Sequence, residues 1–131
     1  MKKYFALILA VMLLYACGGG SAKNKLVGKW VSSEKTDRGL ETTTVYEYAE
    51  NGDYRCTVKY HSPTVPVDMF NMDITGKYEM KGDSAIAITG LQSKIGGATV
   101  PGDDLTQKII RLDDEILEID TKGATEKCQR Q

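Results

Sequence analysis

The residue type most suited to binding in this sequence is tyrosine. Five tyrosines fall on the alternating inner faces of segments that read as strands: Tyr46, Tyr48, Tyr54, Tyr60 and Tyr78. An aromatic wall with few polar groups is typical of a small-molecule site. The same rings can instead fill the interior of a small barrel, with their hydroxyl groups reaching water at its ends. The sequence leaves both interpretations open.

A proline-containing segment between two of these strands carries further apolar side chains. Residues 61–71 contain Pro63 and Pro66, yet Met69 and Phe70 lie among them. A wholly solvated loop does not need large apolar groups. We therefore count Met69 and Phe70 among the candidate ligand-binding residues, where they either cover a ligand or plug one end of the fold.

Residues that usually carry catalysis are sparse. His61 is the single histidine, and a zinc site needs further His or Cys ligands near it. The acidic runs 103–104 and 113–115 lie at expected turns, where Asp is favoured by local hydrogen bonds. No Ser/His/Asp arrangement, phosphate loop or nucleotide fingerprint is present in the sequence. We expect no metal, no cofactor and no enzyme activity, since an enzyme needs convergent polar groups with perturbed pKa values.

Cys56 and Cys128 are the two cysteines of the expected folded region. In an exported chain they either form a disulfide, which stabilises by constraining the unfolded chain, or remain buried thiols that pack as small apolar groups. Sequence alone does not establish whether the two are adjacent, so both alternatives stand.

The N-terminus has the pattern of an export signal. Two lysines follow Met1, an apolar run covers residues 4–14, and Leu14-Tyr15-Ala16-Cys17 ends it. This run is too short to span a hydrocarbon layer of about 30 Å and fits the apolar core of a signal peptide. The last four residues resemble the lipobox of bacterial lipoproteins, although Tyr15 replaces the usual small or aliphatic residue.

The lipobox resemblance implies cleavage before Cys17 and acylation of its thiol. We therefore expect a signal peptide at residues 1–16, a lipidated Cys17 with a flexible linker at residues 17–25, and one domain at residues 26–131. The linker is predicted from its glycine, serine and charged composition. The implied location is the bacterial cell envelope, on the periplasmic face or the outer-membrane surface.

Beyond the linker, apolar and polar residues mostly alternate with a period of two, and turn residues interrupt this alternation. Residues 53–60 alternate clearly, and Asn51-Gly52 before them is a strong hairpin indicator. Other alternating runs lie at residues 40–49, 73–80, 85–89, 105–112, 115–121 and 124–129. With the run that begins at Leu26, the total is about eight strands in meander order. This predicts an all-β fold, a single small antiparallel up-and-down barrel, either complete or flattened and partly open.

Gly28-Lys29-Trp30 resembles the first strand of lipocalin-like, or calycin, barrels, which carries Gly-x-Trp. The resemblance covers residues 26–130 and implies that Arg130, near the last strand, packs across the Trp30 ring and closes the barrel. It fits the small lipocalin-like lipoproteins of bacteria best, because the chain is short and has no C-terminal helix. Avidin-like barrels share the opening motif and remain an alternative.

These patterns lead to two functional expectations. The first is an envelope lipoprotein whose barrel binds a small apolar or amphipathic ligand. The alternative is a filled barrel that acts as a protein-interaction or inhibitor module towards an unidentified envelope protein. The formal net charge of −1 and the lack of a basic patch argue against nucleic acid as a partner. An interior cavity of a few hundred Å³ favours the first expectation and a packed interior the second.

Overall fold

The alternating segments fold into strands of one continuous sheet. The computed structural model describes residues 21–64, 70–95 and 97–131. Its elements, in chain order, are α1 (Ser21–Leu26), β1 (Gly28–Lys35), β2 (Glu41–Tyr48), β3 (Asp53–His61), β4 (Phe70–Lys81), β5 (Ala85–Ile95), β6 (Ala98–Pro101), β7 (Leu105–Leu112), β8 (Ile116–Thr121) and β9 (Ala124–Arg130). The signal peptide, Cys17 and Met69 of the sequence predictions lie outside the described residues.

Eight of these strands close into an antiparallel barrel. The sheet order is β4-β3-β2-β1-β9-β8-β7-β5, and β4 also pairs with β5, which completes the circle. The ninth strand, β6, pairs with the far end of β5 alone. Closure removes the free edges that an open sheet would expose. The predicted small up-and-down barrel of about eight strands is confirmed.

The hairpin predicted at Asn51-Gly52 joins β2 to β3. The Asn51 side chain accepts a hydrogen bond from the Asp53 amide at 3.0 Å, and Gly52 takes the positive φ of +94° that the turn requires. This turn sets the register that pairs Tyr48 with Tyr54 and Tyr46 with Cys56. The inner faces of β2 and β3 therefore carry the tyrosines together, as their alternation predicts.

The strands around β5 differ from the sequence prediction. The absence of an alternating run over residues 90–104 predicts a connection there, but β5 continues through Gly90 to Ile95 and β6 follows within the same segment. β5 carries the bulge that accommodates the break in its alternation, because two of its residues, Gly90 and Leu91, oppose Gly76 alone. Gly76 of β4 lies opposite that bulge, and a Cβ there would stand 2.8 Å from the Thr89 carbonyl oxygen. The tight approach explains why a glycine occupies the position.

The end of the expected linker is also ordered. Ser21–Leu26 form a short helix rather than a flexible spacer, and its Leu26 side chain is fully buried. Helical backbone over these residues points one apolar side chain at the barrel, while Lys23 and Lys25 stay exposed. Burial of Leu26 stabilises this helix, which is too short to persist by itself in water.

Candidate ligand-binding site

One end of the barrel is sealed around Trp30. The ring is fully buried, and its Nε1 donates a hydrogen bond to the Leu26 carbonyl at 2.8 Å. The Arg130 guanidinium lies over the ring, with Cζ 4.2 Å from the ring centroid. Trp30 and Arg130 are also directly paired between β1 and β9. The predicted contact between Arg130 and Trp30 is therefore confirmed.

Arg130 also ties three backbone segments together at this end. It donates hydrogen bonds to the carbonyl oxygens of Lys25, Val27 (3.1 Å) and Asp114 (2.8 Å). Gly28 leaves room for it, because a Cβ there would stand 2.7 Å from Arg130 Nη1 and the φ of +138° disfavours other residues. The Gly-x-Trp motif thus works here together with Arg130 as a structural seal.

Tyrosine rings fill the half of the barrel that lies next to this seal. Tyr48 is 1% exposed, and its ring centroid lies 5.3 Å from that of Tyr78 and 5.6 Å from that of Tyr54. The Tyr48 hydroxyl donates to Gln107 Oε1 at 2.7 Å, and the Tyr78 hydroxyl donates to the Ala49 carbonyl at 2.6 Å. Tyr48 and Tyr78, which the sequence suggested as ligand residues, are core residues with satisfied hydroxyl groups.

The other half of the barrel holds a cavity of about 430 Å³. It lies towards the end of the barrel where β1 and β3 end and β7 and β9 begin, opposite the Trp30 seal. Its aromatic and apolar wall is formed by Tyr46, Tyr54, Cys56, Val58, Tyr60, Ile74, Leu105 and Ala124. Three of the five predicted tyrosines, Tyr46, Tyr54 and Tyr60, therefore line a cavity.

The polar part of the wall comes from hydroxyl, amide and carboxyl groups. These residues are Ser32, Thr42, Thr44, Gln107, Thr121, Thr125, Glu34 and Glu126. No Lys, Arg or His is among the described residues that line the cavity. Both charged lining groups, Glu34 and Glu126, are acidic, and this charge favours positively charged groups in the cavity.

Tyr46 and Glu126, both in the cavity wall, are joined by a direct side-chain hydrogen bond. The Tyr46 hydroxyl donates a hydrogen bond to Glu126 Oε2 at 2.5 Å. Burial raises the pKa of Tyr46 above its ordinary value, and the hydrogen bond to Glu126 raises it further. Tyr46 therefore remains protonated at neutral pH and fixes the orientation of the carboxylate as a permanent donor.

Both domain cysteines are buried free thiols. The structure thus corresponds to the second of the two sequence alternatives, with no bond between Cys56 and Cys128. Burial is the main cause that raises the pKa of each thiol to about 12. Since the thiolate is the reactive form, both groups are weak nucleophiles at neutral pH, including Cys56 in the cavity wall.

The remaining residues singled out in the sequence either have structural roles or lie outside the described residues. Asp113 accepts hydrogen bonds from the amides of Glu115 (2.9 Å) and Ile116 (2.8 Å), which is the turn role expected of it. His61 ends β3, and no cluster of three or more metal-ligating side chains occurs within the described parts of the chain. Phe70 begins β4, but its side chain, like Met69 as a whole, lies outside the described parts.

Sequence reasoning missed Gln107 and Glu126, two polar side chains that point into the barrel. Both lie two residues from an inward apolar position, Gln107 after Leu105 and Glu126 before Cys128. That spacing was the available indication, because strand residues two apart share a face. Polar residues in half-buried strands normally face water, which is why the pattern alone assigned them no role.

Comparison with known proteins adds no family. No protein-family model matches the chain, and no curated protein matches it significantly. Of the helices in the described residues, none has the length and hydropathy needed to cross a bilayer.

Proposed function

We propose that this protein is a lipid-anchored lipoprotein of the bacterial cell envelope whose barrel binds one small amphipathic ligand. The observation that carries ligand binding is the cavity of about 430 Å³ at the open end of the barrel. Its volume lies in the range typical of small-molecule sites, as does a wall of aromatic and aliphatic groups with a few polar ones. A filled interior would have favoured the alternative.

The surroundings of the cavity support binding without a large conformational cost. Its walls are strands held in a closed ladder, and the Tyr54 ring in the wall packs against Tyr48, which in turn packs against Tyr78. A preformed cavity loses little side-chain and loop entropy when a ligand enters, so more of the contact free energy remains as affinity. The apolar wall suits a hydrocarbon or ring, and the carboxylates suit a polar head.

Native mass spectrometry of the mature protein, purified gently from its own host, tests this function. We expect a reproducible additional mass of small-molecule size that is lost on denaturation. A bare polypeptide mass under several gentle conditions, with no small molecule displaced into the denatured fraction, would contradict ligand binding.

Support for the lipid anchor comes from the leader and from Leu14-Tyr15-Ala16-Cys17. Stable anchoring needs more than one acyl chain, and a multiply acylated cysteine supplies them. We expect cells fed an alkyne-tagged fatty acid to label the wild-type protein and not the Cys17→Ser variant. The matched control, Cys56→Ser, should label normally. Label that persists in Cys17→Ser, or is absent from the wild type, would contradict the anchor.

A protein-interaction module is the second candidate function. Ile95 and Val100 are 38% and 49% exposed, and both lie on the face of the β5–β6 hairpin that continues the barrel interior, because Val100 pairs with Ser93. A photocrosslinking residue at position 100 should then capture one discrete protein in cells, whereas one at Thr99, on the opposite face, should not. Equal capture at both positions would contradict a specific docking face.

A further inference from the structure

The charges of the cavity narrow the chemistry of its ligand. We propose that the ligand is a primary or secondary amine in its cationic form, bound through the Glu126 carboxylate, with an apolar group against Val58, Ile74 and Leu105. This inference rests on the proposed ligand-binding function and adds to it the charge and class of the ligand. It differs from an expectation of a purely apolar ligand, for which a carboxylate would be an unfavourable neighbour.

The charged side chains that line the cavity are all acidic. Glu126 and Glu34 both line the cavity, and among the described lining residues there is no Lys, Arg or His to neutralise them. Nor does any basic side chain of the described residues form an ion pair with Glu126. A partly buried carboxylate without a counter-ion is unfavourable unless a cation or further donors reach it. A ligand ammonium group supplies both.

The hydrogen bond from Tyr46 holds the Glu126 carboxylate in one orientation. Tyr46 donates to Oε2 of Glu126, which uses one of about four acceptor positions on the carboxylate. The remaining positions are available to further donors, and an ammonium group with two or three N–H bonds matches them. The Tyr46 hydroxyl oxygen is itself an additional acceptor for such a group. Charge-assisted hydrogen bonds of this kind are shorter and stronger than neutral ones.

The acidic lining of the cavity disfavours anionic ligands. A carboxylate or phosphate ligand would lie beside Glu126 in a cavity without a lining cation, where like charges repel more strongly than in water. Fatty acids and acidic lipids are therefore poor ligands. The aliphatic part of the wall, formed by Val58, Ile74 and Leu105, is suited to a small ring or short hydrocarbon chain.

Three probes that share one skeleton test the inference: 2-phenylethylamine, 2-phenylethanol and 3-phenylpropanoate. Each is titrated at neutral pH into the full mature protein in lipid nanodiscs, with empty nanodiscs as the blank, by isothermal titration calorimetry. We expect the amine to bind about tenfold or more tightly than the alcohol, and the carboxylate to bind most weakly. This ranking requires no variant, so it does not depend on the folding of a mutant.

Glu126→Gln then assigns the effect to one side chain. The variant should lose the preference for the amine and bind the alcohol as the wild type does. The matched control is Glu118→Gln, whose carboxylate lies on the outer face between inward-facing Leu117 and Ile119 and opposite Lys127; it should keep the preference. Equal binding of amine and alcohol, tighter binding of the carboxylate, or an unchanged preference in a folded Glu126→Gln protein would overturn the inference and leave ligand binding standing.

Absence of heat from all three probes would also overturn the amine inference. The proposed function is judged separately, by the co-purified mass, and a co-purified neutral or anionic compound would support the function while contradicting the amine.

Discussion

At the scale of single residues, Arg130 has a structural role although it is exposed. It lies near the C-terminus, yet its guanidinium covers the Trp30 ring and bonds to carbonyl oxygens of α1, the α1–β1 junction and the β7–β8 turn. Each contact alone is modest, but together they join the two ends of the folded chain. The seal therefore depends on one side chain that three segments share.

Replacing Arg130 tests this role. Arg130→Ala removes the cation–π contact and three hydrogen bonds, and we expect the free energy of unfolding to fall by about 1–3 kcal/mol. Urea denaturation followed by Trp30 fluorescence measures it. The exposed Arg38→Ala should change stability by no more than about 0.5 kcal/mol. Equal effects of the two substitutions would contradict a sealing role for Arg130.

The buried thiols predict how stability depends on pH. Their pKa values rise from 9.0 to about 12 on folding, so above pH 9 the unfolded chain loses protons that the folded protein retains. Stability is then fully present below pH 9 and declines as pH rises towards 12, by roughly 1 kcal/mol per pH unit for each thiol. Raised tyrosine pKa values add to this decline above pH 10.

Urea denaturation at a series of pH values between 8 and 11 provides the measurement. The Cys128→Ala variant, compared with wild type, should show a shallower decline because one titrating group is gone. A wild-type stability that stays constant from pH 8 to pH 11 would mean that the thiols titrate normally in the folded protein.

At the scale of elements, the sequence predicts which residues of each strand face the interior. It does not predict the length of every strand. Alternation in β2, β3 and β8 assigned Tyr46, Cys56 and Leu117 to the interior because residues two apart share a face. The segment 85–95 loses its alternation at Gly90, which reads as the end of a strand. In the structure Gly90 takes a positive φ of +62° and forms a bulge with Leu91, which restores the inward position at Leu91. The residue opposite this bulge, Gly76, lies on β4, so the pairing does not follow from the sequence of β5 alone.

The close approach of β4 to the bulge in β5 provides a prediction at this scale. Gly76→Ala places a Cβ 2.8 Å from the Thr89 carbonyl oxygen, and relief of that contact must shift β5 relative to β4. We expect a loss of about 1–3 kcal/mol in the free energy of unfolding. The neighbouring Thr75→Ala, at an exposed position of the same strand, should cost less than about 1 kcal/mol. Equal losses would show that the backbone approach at Gly76 is unimportant.

At the scale of the whole molecule, the barrel has two different ends. The end that carries α1 is sealed by Trp30 and Arg130, and the opposite end contains the cavity. The proposed anchor, Cys17, lies shortly before α1 in the sequence. The Tyr46–Glu126 contact spans 80 residues and follows only from closure of the barrel, which explains why sequence spacing did not reveal it.

The measurement that tests the account most directly is native mass spectrometry of the wild type beside two tryptophan variants. Val58 lines the cavity, so Val58→Trp fills it, whereas Lys59→Trp adds the same ring at the next, exposed position. We expect wild type and Lys59→Trp to carry the additional mass and Val58→Trp to lose it, with all three melting cooperatively. A folded Val58→Trp protein that keeps the same mass would contradict the cavity as the binding site.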